Sequence, residues 1–291
     1  QALAAAPIPV AKLKLLAERI YALCDARDGL TDGLIGDPRR CPFEPARDLP
    51  VCTGAENEQC FTRGQIAALE TIYRDVVVNG RRVAPGFPVG GEIVGPNGRS
   101  GWDGWILREG QLSQSALYAE SALRYMTFPR PVPEYELGWF QLERDASRLE
   151  WLGKLVSATE TDLSRFRDRG GKILMYFGWA DPALNPLMGV EYYEAVERRL
   201  GPSTRDFFRL YMMPGVFHCG GGVGPACFDP LAHLIAWVEQ GRAPEAIVAS
   251  QVAEGGKVVR TRPLCPYPEV ARYQGQGSID EAGSFRCAQP K

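Results

Sequence analysis

Histidine is the scarcest chemically useful residue in this sequence: only His218 and His233 occur in 291 residues, so any reaction that needs an imidazole has almost no choice of group. Two histidines without H-x-x-x-H or H-x-H spacing are also too few for a metal-dependent hydrolase that would use Asp181 and His218 as ligands. No C-x-x-C pair stands in the chain, which removes the usual zinc site. Neither sign of charge dominates: 33 Lys and Arg against 35 Asp and Glu give a formal net charge of -2, leaving no electrostatic footprint for nucleic acid. No uninterrupted apolar run approaches the ~18 residues of a membrane span, because Arg, Glu, Gly or Pro breaks each rich window, and a soluble chain is expected. Residues 1–9 lack the charged head and apolar run of a signal peptide and no Met stands first, so the sequence reads as an internal start.

What is present is ample core material, 45% apolar against 23% charged residues. The eight cysteines, at 24, 41, 52, 60, 219, 227, 265 and 287, favour disulfides. Cys24 with Cys41, Cys52 with Cys60 and Cys265 with Cys287 each enclose a short polar segment with little core of its own, although spacing alone does not fix connectivity. An oxidising location follows, either secreted or periplasmic.

Leu13, Leu16, Ala17, Ile20 and Leu23 recur at helical spacing between Val10 and Cys24. Thr62 and Gln65 form a T-x-x-Q capping box ahead of Ile66, Leu69 and Ile72. From Gly80 to Gly110 glycine and proline are so dense that irregular structure with short strands at most is expected. After about residue 150 the pattern changes. Helical stretches around Leu149–Val156 and Leu163–Phe166 lead to Gly170 and Gly171, then a buried strand over Lys172–Gly178, a helix over Gly189–Leu200, a strand over Phe207–Met213 and a helix over Pro230–Gln240. In that last helix Leu231, Leu234, Ile235 and Val238 are expected to face inward. Such alternation predicts an α/β fold with a parallel sheet covered by helices, whose chemistry sits at the carboxyl ends of the strands.

Directly after the first of those strands stands Gly178-Trp-Ala-Asp181-Pro, and after the second Pro214-Gly-Val-Phe-His218-Cys-Gly-Gly-Gly. Asp followed by His, each past a neighbouring strand, is the acid-then-base order of an α/β-hydrolase. His233, in a helix, has a structural role as its simpler reading. No serine has the G-x-S-x-G context of a nucleophile elbow: Ser100 lies in Gly-Arg-Ser-Gly, and Ser113 and Ser115 lie in a polar run. The nucleophile is therefore expected outside this chain. Asp25, Asp28 and Asp32 read either as a plain surface turn or as carboxylates screened by a cation, since closely spaced acids repel.

The sequence resembles the tannase/feruloyl esterase family over nearly its whole length. The resemblance rests on Cys24-Asp-Ala-Arg-Asp-Gly-Leu-Thr-Asp-Gly, Gly178-Trp-Ala-Asp-Pro, His218-Cys-Gly-Gly-Gly, and Leu264-Cys-Pro-Tyr-Pro with Gly277-Ser-Ile-Asp. It implies a lid domain over residues 1–158, the C-terminal part of an α/β-hydrolase core over 159–291, and export from the cytoplasm. It implies ester hydrolysis by Ser-Asp-His, with Asp181 as acid, His218 as base, and Ser, oxyanion hole and early strands in a preceding region. Cys219 resembles one half of a disulfide whose other half precedes that Ser, so a disulfide-linked N-terminal chain carrying Cys-Ser is an expected partner. In the resemblance Asp25, Asp28 and Asp32, with the carbonyls of Leu30 and Leu34, hold a structural Ca2+. Trp102, Trp105 and Phe128, with Tyr125 and Trp139, offer a wall for an aromatic ester substrate, with core packing as the alternative for each. Two departures stand out. Phe177 replaces the polar His frequent before the Gly-x-x-Asp turn, and Cys227 is extra, either bonded to Cys219 or free. A catalytically incomplete, calcium-binding, disulfide-stapled module is the competing expectation, and its exposed sheet edge would favour a homodimer.

Overall fold

The apolar stripe of the first helix turns inward as its spacing requires. In α1 (Lys12–Cys24) Leu13, Leu16 and Ile20 are buried against Phe61, Ile66 and Leu69. The computed structural model describes residues 2–290. Helix α2 (Arg63–Tyr73) starts at the expected capping box: Gln65 N donates to Thr62 Oγ1 at 3.2 Å, and Thr62 N donates to Gln65 Oε1 at 3.0 Å. Gln65 also accepts from Lys12 Nζ at 2.8 Å, so the buried ammonium is paired there and with Glu56. A short antiparallel hairpin follows, β1 (Val76–Val78) and β2 (Arg81–Ala84), turning on Asn79 and Gly80, whose φ values are 50° and 75°. Asn-Gly supplies the left-handed pair that a two-residue hairpin needs. Helices α3 (Gln114–Tyr125) and α4 (Glu150–Val156) complete the N-terminal part.

The expected parallel pair is present. Strands β3 (Ile173–Gly178) and β4 (Phe208–Met213) run in register from Ile173 beside Phe208 to Gly178 beside Met213, joined by α5 (Pro186–Leu200). Val190, Tyr193 and Val196 of α5 pack on Phe207, Phe208 and Leu210. After α6 (Pro230–Gln240) come two antiparallel pairs that periodicity did not announce: β5 (Ile247–Val252) with β6 (Val258–Leu264), and β7 (Val270–Tyr273) with β8 (Phe285–Ala288). Among the described residues every named strand belongs to a two-stranded pair, so β3 has no partner on its far side.

The orientation of α6 departs from expectation. Trp237 is its buried residue, lying under the cations of Lys172 and Arg209, whereas Leu231, Ile235 and Val238 are exposed and Leu234 is half-buried. The apolar stripe is real, but the sheet ends at β3 and no described residue covers that side of the helix. The disulfides follow the local groupings: Cys24–Cys41, Cys52–Cys60 and Cys265–Cys287. Cys219 and Cys227 are both free, so neither bonds the other.

The two parts meet through polar contacts, buried at Asn185 and open to solvent at Arg39. Asn185 caps α5 by accepting from Leu187 N at 3.0 Å, and its Nδ2 donates to the carbonyls of Pro85 at 2.9 Å and Gly86 at 3.0 Å. Arg39 lies over the rings of Trp179 and Tyr267 and donates to Tyr267 Oη at 2.7 Å. Replacing Asn185 by Ala removes the cap and strands two buried carbonyls, and is expected to lower unfolding free energy by about 2–3 kcal/mol in denaturant titration. A change within experimental error would remove Asn185 from the contacts that hold the parts together.

Candidate functional site

Two loops meet beyond the carboxyl ends of β3 and β4. Gly178 closes β3 where an added Cβ would fall 2.2 Å from the carbonyl oxygen of Val216, so only glycine permits this approach. Trp179 N donates to Met213 O at 2.9 Å and Ala180 N to Val216 O at 3.2 Å, stitching the first loop to the second. These contacts deliver Asp181 and His218 to one point: Asp181 Oδ2 lies 3.0 Å from His218 Nδ1. The other carboxylate oxygen, Oδ1, accepts from Ala183 N at 2.8 Å and Leu184 N at 2.9 Å, which fixes the orientation of this buried side chain. The arrangement is that of a base with its orienting acid, leaving Nε2 for chemistry.

His218 borders an open cleft of about 570 Å³ shared with Trp105, Tyr118, Arg108 and the Gly220–Gly222 run. Trp105 presents its ring to the imidazole edge-on at 5.1 Å and stacks on Tyr118 at 6.2 Å. The other expected wall residues lie elsewhere. Trp102 is 1% exposed in the N-terminal core beside Tyr73, and Phe128 lines a separate hollow with Trp151 and Arg148. Tyr125 and Trp139 are exposed and do not border the cleft. Ser100 lines the cleft, but its hydroxyl donates to Glu92 O at 2.7 Å and accepts from Trp102 N at 3.1 Å, a structural assignment for that group. His233 is half-buried on α6. Cys219 has a left-handed backbone, φ 59°, and its Sγ stands 3.6 Å from His218 Nε2.

Glu92 carried no motif yet anchors the approach to this site. Fully buried, it accepts from Tyr73 Oη at 2.7 Å and from Gly90 N at 2.6 Å. The adjacent Gly91 passes so close to the loop of Asp181 that an added Cβ would lie 2.9 Å from Ala180 O. Burial pushes the Glu92 carboxyl up to about 7, against the lowering effect of its hydrogen bonds.

The acidic loop near the N terminus is closed on its own backbone. Asp25 accepts from Asp32 N at 3.1 Å and Gly33 N at 3.0 Å, Asp28 from Leu30 N at 3.0 Å, and Asp32 from Leu34 N at 3.2 Å. Asp32 also pairs with buried Arg262 at 2.6 Å. Burial, and then the charges of Asp32 and Asp25, push Asp28 up to about 6; burial also raises Asp32. Among the described residues no three His, Cys, Asp or Glu side chains converge on a point where they would share an ion. The donor set is nonetheless hard oxygen with an excess of negative charge, three carboxylates beside two guanidiniums, Arg262 on the Asp32 side chain and Arg260 on its backbone carbonyl, which is the chemistry that suits Ca2+.

The tannase and feruloyl esterase family profile matches residues 2–288. An uncharacterized esterase of Xanthomonas campestris pv. campestris is 35% identical over 97% of this chain and 55% of its own length. The mono(2-hydroxyethyl) terephthalate hydrolase of Piscinibacter sakaiensis is 34% identical over 96% of this chain and 52% of its own length. Feruloyl esterase B from Aspergillus oryzae, a solved structure, superposes with a TM-score of 0.82 at 25% identity, covering 97% of this chain and 57% of that one. The chain thus spans about half the length of the relatives it matches.

Glu92 makes stability depend on pH in a defined direction. Its folded value of about 7 lies above the usual 4.5, so its contribution is whole below about 4.5 and is lost as pH rises through about 7. Between those limits the parent chain is expected to lose about 3 kcal/mol relative to Glu92→Gln, measured by denaturant unfolding. Parallel pH profiles for the two proteins would show that Glu92 is not held protonated.

Proposed function

Because the chain belongs to the tannase and feruloyl esterase family, we propose that it carries the acid and base of a serine ester hydrolase whose nucleophile lies on a segment outside these 291 residues. The observation that carries this reading is the 3.0 Å contact between Asp181 Oδ2 and His218 Nδ1 at the mouth of an open cleft. With Nδ1 donating to Asp181, Nε2 is left as the acceptor. It would take the proton of a serine hydroxyl as oxygen attacks the ester carbonyl, then return it to the leaving alcohol. Asp181 would hold the tautomer and stabilise the imidazolium in between. Water repeats the same two transfers to release the acid.

In this reading residues 159–291 are the C-terminal part of an α/β-hydrolase core and residues 1–158 a lid. The unpaired edge of β3 and the uncovered Leu231, Ile235 and Val238 of α6 are where further strands and helices would pack. The donors of the oxyanion hole and a Cys-Ser sequence would come with them, Cys219 pairing with that cysteine. Aromatic acids are the proposed acyl group, since Trp105 and Tyr118 border the cleft beside His218. The mono(2-hydroxyethyl) terephthalate hydrolase and feruloyl esterases among the relatives support the same class. Three disulfides support a secreted or periplasmic location, and among the described residues no helix is long and apolar enough to cross a membrane. Asp25, Asp28 and Asp32, with the carbonyls of Leu30 and Leu34, would hold a structural Ca2+, which would neutralise the carboxylate excess in that loop.

A serine-reactive phosphonate applied to the protein from its natural source is expected to label a serine outside residues 1–291, either on a longer polypeptide or on a chain released by reduction. A label on any residue of the present chain overturns the assignment. Thorough calcium chelation is expected to lower the thermal midpoint by several degrees, because an ion bound only to the native state stabilises it. An unchanged midpoint would remove calcium from the loop.

A further inference from the structure

One stretch of the N-terminal part, residues 90–102, touches both loops of the site. Gly91 faces the Asp181 loop, where an added Cβ would lie 2.9 Å from Ala180 O. Gly95 and Gly101 face the His218 loop: a Cβ at these positions would stand 3.4 Å and 2.9 Å from the Phe217 ring, and one at Gly95 would also meet Gly222 Cα at 3.5 Å. Backbone laid this close leaves the two loops little room to shift unless the stretch shifts with them.

The stretch folds back on itself and is rooted at both limbs. Gly95 N donates to Arg99 O at 2.8 Å, Gly101 N donates to Ile93 O at 3.3 Å, and Val94 bridges Ser100. Trp102, buried in the N-terminal core, roots the later limb. Glu92 roots the earlier one. Its fully buried carboxyl accepts from Tyr73 Oη of α2 through one oxygen and from Gly90 N through the other. Tyr21 Oη of α1 donates to Gly90 O at 3.3 Å, and Ser100 Oγ donates to the Glu92 carbonyl at 2.7 Å. Directional bonds set the position of this limb, and an apolar side chain in place of Glu92 would leave the Tyr73 hydroxyl and the Gly90 amide without their acceptor. An enclosed carboxyl with both oxygens engaged by this chain owes none of the arrangement to a segment outside it.

We infer that Glu92 is a positioning residue for Asp181 and His218, holding residues 90–102 against Ala180 and Phe217 so that the two loops keep their 3.0 Å contact. The hydrogen bonds of its carboxyl go to neither member of the pair, so its effect passes through the loop it roots. The inference rests on the reading of Asp181 and His218 as acid and base.

The experiment reads that pair by nuclear magnetic resonance on the 291-residue chain labelled at histidine nitrogen. An imidazole Nδ1 proton donated to a carboxylate resonates far downfield, and with only two histidines in the chain Asp181→Asn assigns it. Glu92→Ala is expected to abolish the resonance. Glu92→Gln, able to accept from the Gly90 amide and donate to Tyr73 Oη, is expected to retain it. Ile66→Ala opens a cavity between α1 and α2, and is expected to lower the thermal midpoint while leaving the resonance in place. If circular dichroism shows Glu92→Ala unfolded, Tyr73→Phe replaces it, removing one hydroxyl from the carboxyl, with an expected drop in the resonance of about two-fold. Survival of the full resonance in the deciding variant overturns the inference, and so does its loss in Ile66→Ala, which would make the effect one of general stability. A parent chain without the resonance removes the contact between Asp181 and His218 and the inference with it, so failure of the acid–base reading is told apart from failure of the role of Glu92.

Discussion

The in-register parallel pairing of β3 with β4 is the constraint on which the site depends. Because Gly178 and Met213 end level with one another, the loops that leave them start side by side, and residues 37 apart in sequence can share a hydrogen bond. A slip of the pair by one residue would turn each strand's side chains to the other face and carry the two loops out of step. Gly178 tightens the tolerance further, since the backbone of the second loop occupies the space where a side chain would begin. Geometry of this kind is a property of strand register first and of side chains second.

The N-terminal part supports that geometry from outside. Arg39 lies against Trp179, Asn185 ties the start of α5 to Pro85 and Gly86, and the segment around Gly91 rests on Ala180. These contacts approach the loop of Asp181 from different elements. They are polar or involve backbone, so they fix position more sharply than apolar packing of the same area would. The acidic loop is braced separately, through Asp32 to Arg262 on β6. Asp32 and Arg39, early in the sequence, are thus in direct contact with Arg262 and Tyr267 near its other end.

The chain's own pattern made some of this legible and left other parts hidden. Strands β3 and β4 are legible because each is a short apolar run bounded by glycine or proline, and the meeting of Asp181 with His218 because each follows directly on one of those neighbouring strands. The disulfides were readable because each closes a local loop. The face that α6 buries is not legible for a physical reason: periodicity shows that a helix has an apolar stripe but not whether the described residues supply its cover. Trp102 and Trp105 are three residues apart in a glycine-rich segment, and nothing local tells that one fills the core while the other meets the imidazole. Glu92 left no signal at all, since its role comes from Tyr73 and the Gly90 amide meeting it in space. Asn79-Gly80 did carry a hairpin signal, masked by the irregular composition that follows it.

The bare edge of β3 also has a consequence for the life of the polypeptide. A strand with one row of amides and carbonyls unpaired, beside a helix showing Leu231, Ile235 and Val238 to solvent, is a template for adding any extended segment that arrives. A solution of these 291 residues alone is therefore expected to self-associate more readily as its concentration rises than one in which that edge and face are covered.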